Sequence, residues 1–432
     1  MASTPDKVRR PGYAPAANIG VGRRGLHTRD RILASAAEAF LANGFHSTSL
    51  ETIAKAANAS RATVYQYFAG KDEIFNELSA VALRDIVDHG ARLSDLGPTI
   101  DGLEALHRWL VEWVDIYTAH EAVFAEFPGI GSTAGFPMID AGSMVEKFGR
   151  ALTDRLRGTD LRGLDPADAA AVLMRIPHMV HLYRRRAMFP LPETAVVSWS
   201  LTVALQLMLF PDTPPDVLRV VAPQRVDRVR SPALGYTERP EPTPGVAATP
   251  QSPIAEDVLS ASSPLFAEYG YYAVGMEDIA AAANLSRATL YRYFSTKERI
   301  LAELTLRAVR EIEDHAAALP GMGVGALNEW MVSYVRFHRA YRGVIRAWFD
   351  GTVAEQLSKS VVHGMGAIHR AVGALLDTVE LPNGLHPEVA SAVFLAVLGR
   401  MTEPTAAGAP VGDEEASHLM VNLVRRSLLR TT

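Results

Sequence analysis

Apolar residues at Ile32, Leu33, Ala36, Ala39 and Phe40 recur at the spacing of one helix face, and Asn43-Gly44 comes next as a stop signal. The spacing predicts a helix near Thr28 to Ala42. Leu50, Ile53, Ala54 and Ala57 fall at i, i+3, i+4 and i+7, which predicts a second, short helix with Thr48 and Glu51 as its capping box. Asn58-Ala59-Ser60 breaks that pattern. Asn readily takes the left-handed turn conformation, and Ser60 is placed to cap a third helix. Val64 and Phe68 face inward from that helix, Arg61 to Phe68. Two short helices joined by a tight turn form a helix-turn-helix, whose second helix enters the DNA major groove.

With Val64 inward, Ala62 and Gln66 point most nearly outward, flanked by Thr63 and Tyr65. Small Ala62 permits close approach, Gln66 suits an adenine edge and the Thr63 methyl suits thymine. Tyr65 and Tyr67 carry hydroxyls suited to phosphate oxygens. Thr48, Ser49, Ser60 and Arg61 stand at helix starts, and Lys71 stands at the start of the next helix; all are expected at the DNA backbone. Packing at the core edge is the alternative for Tyr67, and solvation the alternative for Arg61.

The same pattern appears again. Adding 226 carries Ser49–Phe68 onto Gly275–Phe294, and between Ile32–Leu78 and Val258–Leu304 the copies align without a gap, with 20 of 47 positions identical. A period of this length means that a whole domain is duplicated, not a short solenoid repeat. Ser286, Arg287, Ala288, Thr289, Tyr291, Tyr293 and Lys297 repeat the first set, with the same alternatives open for Arg287 and Tyr293. Arg292 replaces Gln66, and arginine reads guanine, so the copies are expected to read different half-sites. The second copy departs elsewhere as well. Pro264 stands at the Glu38 position and predicts a kink or a restart; Val274-Gly275 replaces Thr48-Ser49 and loses a side-chain cap; Glu256 and Asp257 precede it where the first copy has Arg29 and Arg31.

SLETIAKAANASRATVYQYFAGKDEIF and MEDIAAAANLSRATLYRYFSTKERIL both resemble the amino-terminal domain of TetR/AcrR-type bacterial regulators, over about residues 26–86 and 252–312. The resemblance implies an all-helical fold of two tandem units. In each, three helices bind DNA, and a larger helical domain senses a small molecule and dimerises.

Beyond these segments the reading rests on helical pattern. Leu103 to Phe127 carries the stripe Leu106, Trp109, Leu110, Trp113 and Tyr117, with a counterpart offset by 221 that places Trp330 at Trp109; the sensor half is thus duplicated too. The helix Pro166 to Met188 contains Pro177, which predicts a kink. Glu193 to Phe210 is the next helix, and the resemblance suggests that these two helices form a four-helix interface. In the second half, helices are expected near Ala354 to Val379, Pro387 to Glu403 and Glu414 to Leu429. Trp113, Tyr117, Phe124, His178, His181, Tyr334, Tyr341 and Trp348 are candidate pocket residues, against the alternative of plain core. His89 and His315 recur in register and read as matched structural features. The glycines of 128–137 lack the strand and GK[ST] context of a phosphate loop.

The expected domains are a basic disordered arm (1–25), a DNA-binding domain (26–86), a regulatory domain (87–210), a Pro-rich linker (211–251), a second DNA-binding domain (252–312) and a second regulatory domain (313–432). An extended linker of ~20 residues reaches on the order of 60 Å, beyond the ~34 Å between half-sites one helical turn apart. Net charge of −5 does not announce a nucleic-acid partner, although a local basic surface suffices. With no Cys there are no disulfides or thiolate metal sites, and neither a cofactor nor a metal is expected. No Walker loop or nucleophile elbow marks an enzyme. No apolar run reaches membrane-spanning length. The expected protein is a ligand-responsive repressor of a bacterial cytoplasm, associated with the nucleoid, that reads an asymmetric operator with its two heads; the alternatives are an activator or architectural DNA-binding protein, or a regulator with one working head and the other as a dimerisation module. Its partners are operator DNA and a small apolar effector, and it is either a homodimer or an intramolecular pseudo-dimer.

Overall fold

The computed structural model describes residues 23–126, 141–221, 252–322, 324–349, 355–403 and 411–430, and among these the regular structure is entirely helical. Most of the basic arm, the 128–137 glycine loop and most of the Pro-rich linker lie outside the described residues. The chain divides into two compact units, residues 1–85 with 119–127, and residues 86–118 with 128–432.

The first unit contains α1 (Arg23–Asn43), α2 (Leu50–Ala56), α3 (Arg61–Tyr67), most of α4 (Lys71–Ala91) and the short α6 (Glu121–Phe124). Gly44 ends α1 at φ +76°, with its N–H on the Phe40 carbonyl at 2.8 Å. The cap of α2 is Ser49, not Thr48: Ser49 Oγ accepts from Thr52 N at 3.1 Å. Thr48 is buried, and its hydroxyl donates to the Gly44 carbonyl at 2.7 Å and the Ala39 carbonyl at 3.1 Å, tying the loop to α1. Asn58 takes φ +46° in the turn, and Ser60 Oγ caps α3 by accepting from Thr63 N at 3.0 Å. Ile53, Ala57, Val64 and Phe68 are fully buried, each larger side chain contributing about 1.5–3 kcal/mol of burial. Phe40, Phe45 and Phe75 close the core with ring centroids 5.0–5.7 Å apart.

In the second unit come α5 (Ile100–Ala119), α7 (Ala141–Leu156), α8 (Pro166–Arg185), α9 (Thr194–Leu209) and α10 (Pro215–Val221). The second copy of the DNA-binding domain comprises α11 (Pro253–Tyr269), α12 (Met276–Ala282), α13 (Arg287–Tyr293) and α14 (Lys297–Ala318). Then come α15 (Leu327–Ala340), α16 (Arg342–Phe349), α17 (Glu355–Leu376), α18 (Pro387–Arg400) and α19 (Asp413–Ser427). The segment Leu103 to Phe127 that carries the apolar stripe is divided between two helices at His120, and its counterpart is divided at Tyr341. The linker is shorter than its composition suggested, because α10 occupies 215–221.

Helix α11 runs through Pro264 without restarting. Gly343 of α16 lies so close that a Cβ there would stand 2.5 Å from Ala267 N and 2.6 Å from Ser263 O, so α16 packs backbone to backbone on α11. The side-chain cap lost at Gly275 is offset from the other direction, by Asp278 accepting from Gly275 N at 2.8 Å. Asn284 repeats the left-handed turn at φ +55°. Internal duplication is visible in a single repeated bond: Trp109 Nε1 donates to the His89 carbonyl at 3.1 Å, and Trp330 Nε1 to the His315 carbonyl at 3.0 Å.

Helices α8 and α9 of the first half pack on α18 and α19 of the second within this unit. Val203, Leu207, Met179, Phe394 and Val397 are buried there. Buried arginines cross between the halves: Arg175 donates to the Arg400 and Glu403 carbonyls at 3.0 and 3.1 Å, and Arg426 to the Leu161 and Leu209 carbonyls at 2.7 and 3.2 Å. Each of these two buried charges therefore ends on two carbonyl dipoles, which a surface ion pair would not require. Among the described residues no helix is long and apolar enough to cross a membrane.

Candidate nucleic-acid interface

A capped helix of seven residues places its side chains with little freedom. On α3, Arg61, Ala62, Tyr65 and Gln66 are exposed while Val64 is buried, so the outward face is the one the helical wheel predicts. Thr63 and Tyr67 are partly buried. On α13, Arg287, Ala288, Tyr291 and Arg292 are exposed, and Thr289 and Tyr293 partly buried. Ser60 and Ser286 each spend the side-chain oxygen on the helix cap, the latter accepting from Thr289 N at 3.1 Å.

The heads differ in how their arginines are held. Arg61 lies over the Tyr65 ring at 5.6 Å from its centroid, with Nη2 3.3 Å from the hydroxyl, which keeps both groups together on the outer face. Arg287 instead pairs with Glu277 at 2.8 Å. Arg292 lies over the Tyr293 ring at 5.6 Å.

Two expected phosphate contacts are redirected. Lys71 Nζ donates to the carbonyls of Phe45, His46 and Thr48 at 2.8, 2.9 and 3.0 Å and sits 4.7 Å from the Phe45 ring centroid. Lys297 Nζ donates to those of Tyr271 and Val274, both at 2.6 Å, over the Tyr271 ring. An ammonium has three protons, and Lys71 uses all of them on the loop between α1 and α2. Burial pushes both lysines below the ordinary range. Thr48, buried beneath the same loop, likewise holds the head together. Spacing alone could not separate these roles, because a lysine at a helix start reads identically whether it faces phosphate or loop carbonyls. Lys71→Met should lower the stability of the first head by about 2 kcal/mol in urea, since it strips partners from three carbonyls. The slope of log affinity against log salt should stay unchanged; a phosphate contact would reduce it by about 1.

Of the candidate pocket residues, Trp113, Tyr117, His178 and His181 come together, the rings of Trp113 and Tyr117 having centroids 6.3 Å apart. Trp113 is stacked on Phe148 with centroids 5.9 Å apart, and Tyr117 lies against His178 and His181 at 5.8 and 5.5 Å. Phe124 is buried in the first unit, and so belongs with the first head. Tyr334 stacks on Trp330 at 5.2 Å as core. Trp348 packs against the second head's core and donates to Thr305 Oγ1 at 3.1 Å. Tyr341 lines an open cleft beside α11.

The model of bacterial regulatory proteins of the tetR family matches this chain twice, at residues 32–78 and 258–304, the two helix-turn-helix segments just described. The chain is a TetR-family regulator with two tandem units. Among relatives, it is 24% identical over 150 residues to the uncharacterised HTH-type transcriptional regulator YhgD of Bacillus subtilis, covering 34% of this chain and 78% of that one. It is 32% identical over 100 residues to an uncharacterised HTH-type regulator of Mycobacterium tuberculosis, covering 23% of this chain and half of the other's length. The solved structure of PfmR, a TetR family transcriptional regulator from Thermus thermophilus, is 27% identical, with 37% of this chain and 84% of that one covered and a TM-score of 0.30. In TetR terms, α2–α3 and α12–α13 are the two helix-turn-helix elements, and both lie inside matched segments.

Proposed function

We propose that this TetR-family chain is a ligand-responsive repressor that engages one asymmetric operator with both of its heads. The observation that carries this reading is the difference on otherwise matched outer faces: Gln66 is exposed on α3 where Arg292 is exposed on α13. Glutamine suits an adenine edge and arginine a guanine, so the half-sites should differ at that contact. The packing of α8 and α9 on α18 and α19 supports an intramolecular pseudo-dimer, because helices that would meet a second chain meet their own duplicates. An apolar effector would then act by binding one arrangement of the heads better than another.

Selection of DNA from a random pool with the full chain tests the reading. Two unlike half-sites, one richer in G at the contacted position, are expected, and Arg292→Gln should make the halves more alike. Unchanged base preference in that variant would remove the assigned role of Arg292. A second reading, one working head with the other as a packing module, is supported by the Arg287–Glu277 pair, which holds one cation of the second head against a carboxylate.

A further inference from the structure

The turn between α1 and α2 is gripped from two sides at a single residue. The Phe45 carbonyl accepts from Lys71 Nζ at 2.8 Å, and the Phe45 N–H donates to Glu126 Oε1 at 2.8 Å. Glu126 is 9% exposed and stands 81 residues on from Phe45, just past the end of α6. A buried carboxylate is costly unless it is paired, and a hydrogen bond with one charged partner is about twice as strong as a neutral one. Burial pulls Lys71 down, and the charges of Asp72 and Glu126 work against that, so the ammonium and the carboxylate support each other across the Phe45 backbone.

Glu126 arrives on a segment that returns to the first head. The chain leaves this unit after Asp85 and re-enters it at Ala119. His120 and Asp85, beside the two crossings, pair at 2.6 Å, and α6 then packs on α1 with Ala122, Val123 and Phe124 buried. The segment is therefore fixed at its start on α4 and at its end on the turn that leads to Ser49, the cap of α2. Burial of Ile53, Val64 and Phe68 makes α2 and α3 one piece, so this turn decides where that piece stands against α1 and α4. The second head is held otherwise. Ala347 stands at the position of Glu126. Lys297 keeps the carbonyl half of the grip, on Tyr271 and Val274, while α16 seats on α11 through Gly343.

We propose that Glu126 is a positioning residue for the first head: its carboxylate on the Phe45 N–H, opposite Lys71 on the Phe45 carbonyl, holds α2 and α3 in the arrangement that seats on DNA. The role rests on DNA binding by the first head and not on the operator being asymmetric. It makes the segment around α6 part of the DNA-binding unit, although that segment lies outside the matched residues 32–78.

Two measurements on the full chain test it. Without DNA, the Phe45 amide should exchange with solvent about tenfold or more faster in Glu126→Ala than in the parent, and Glu126→Gln, which keeps an oxygen acceptor, should restore most of the protection. On the duplex that the chain selects, Glu126→Ala should weaken binding about tenfold in an Ala288→Asp chain, which is left with the first head, because a seat populated a tenth of the time costs that factor. In an Ala62→Asp chain, left with the second head, the effect should stay below about threefold. Titrations are made where circular dichroism shows the chain fully folded, since a residue that only adds stability leaves the affinity of a fully folded chain unmoved. Glu126→Met keeps the volume without the acceptor and serves as the second variant should Glu126→Ala not fold. Equal Phe45 exchange in parent and variants, an unchanged affinity in the Ala288→Asp chain, an equal loss in both backgrounds, or no binding by Ala288→Asp alone would overturn the proposal. A palindromic selection would sink the asymmetric operator and leave this role standing, whereas an unprotected Phe45 amide would remove this role and leave the operator reading intact.

Discussion

Ala62→Asp is expected to cut operator affinity by roughly 10²–10⁴-fold while leaving the fold intact, and Ala288→Asp to do the same. Both alanines are exposed in the first turn of their recognition helices. A carboxylate there suits the helix dipole by about 0.3–1 kcal/mol, so any loss of binding comes from the DNA side, where it meets phosphate. The size of the effect comes from tethering. Once one head is seated, the other binds at the effective concentration set by the chain joining them, and silencing either head forfeits that gain. Each single variant should leave a footprint over one half-site, the remaining head's own. The double variant should retain no sequence preference. If Ala62→Asp abolishes binding and Ala288→Asp changes nothing, the second head is a packing module. Gel-shift titration at fixed salt, with far-UV circular dichroism as the fold control, reads all three.

Acid should destabilise the second unit steeply. His89, His181 and His338 are buried there, and burial lowers them to about 3, about 4 and about 3, helped by Arg92, by Arg184, and by Arg400 with Arg339 respectively. Burial lowers His107 in the same direction. These imidazoles stay neutral in the folded chain while the unfolded chain protonates them below about 6.5. The unfolded state then binds more protons, so stability rises with pH between the folded and unfolded values and is flat above about 7. Each histidine costs about 1.4 kcal/mol per pH unit in that window, so the first three together remove roughly 6 kcal/mol between pH 7 and pH 5. That is comparable to the whole stability of an ordinary domain. Urea titrations at pH 7.5, 6 and 5 measure it directly. A midpoint that stays constant over that range would mean that these histidines gain partners when protonated.

The helix-turn-helix was legible because short-range chemistry fixes it. Ser60 must cap, Asn58 must turn left-handed, and Val64 must face inward if Ile53 and Phe68 do, and each of these is a decision within a few residues. The duplication made the same decisions readable twice. Long-range partners were not legible. Lys71 looked like a phosphate contact because nothing near it in sequence announces three carbonyls 23 to 26 residues away. Thr48 looked like a cap because Glu51 stands three residues after it, yet Ser49, one residue on, makes the bond. Aromatic residues at helical spacing announced a pocket no better than they announced a core: Trp113 and Tyr334 became core, and Trp348 went to the second head.

One chain is expected to present two reading heads to one operator. Native mass spectrometry of the full chain on its selected duplex tests this most directly, because it weighs the complex without assuming a shape. One chain per duplex is predicted, with the same stoichiometry when the chain is in modest excess. Two chains on a duplex carrying a single pair of half-sites would contradict the account, since each chain would then be using one head.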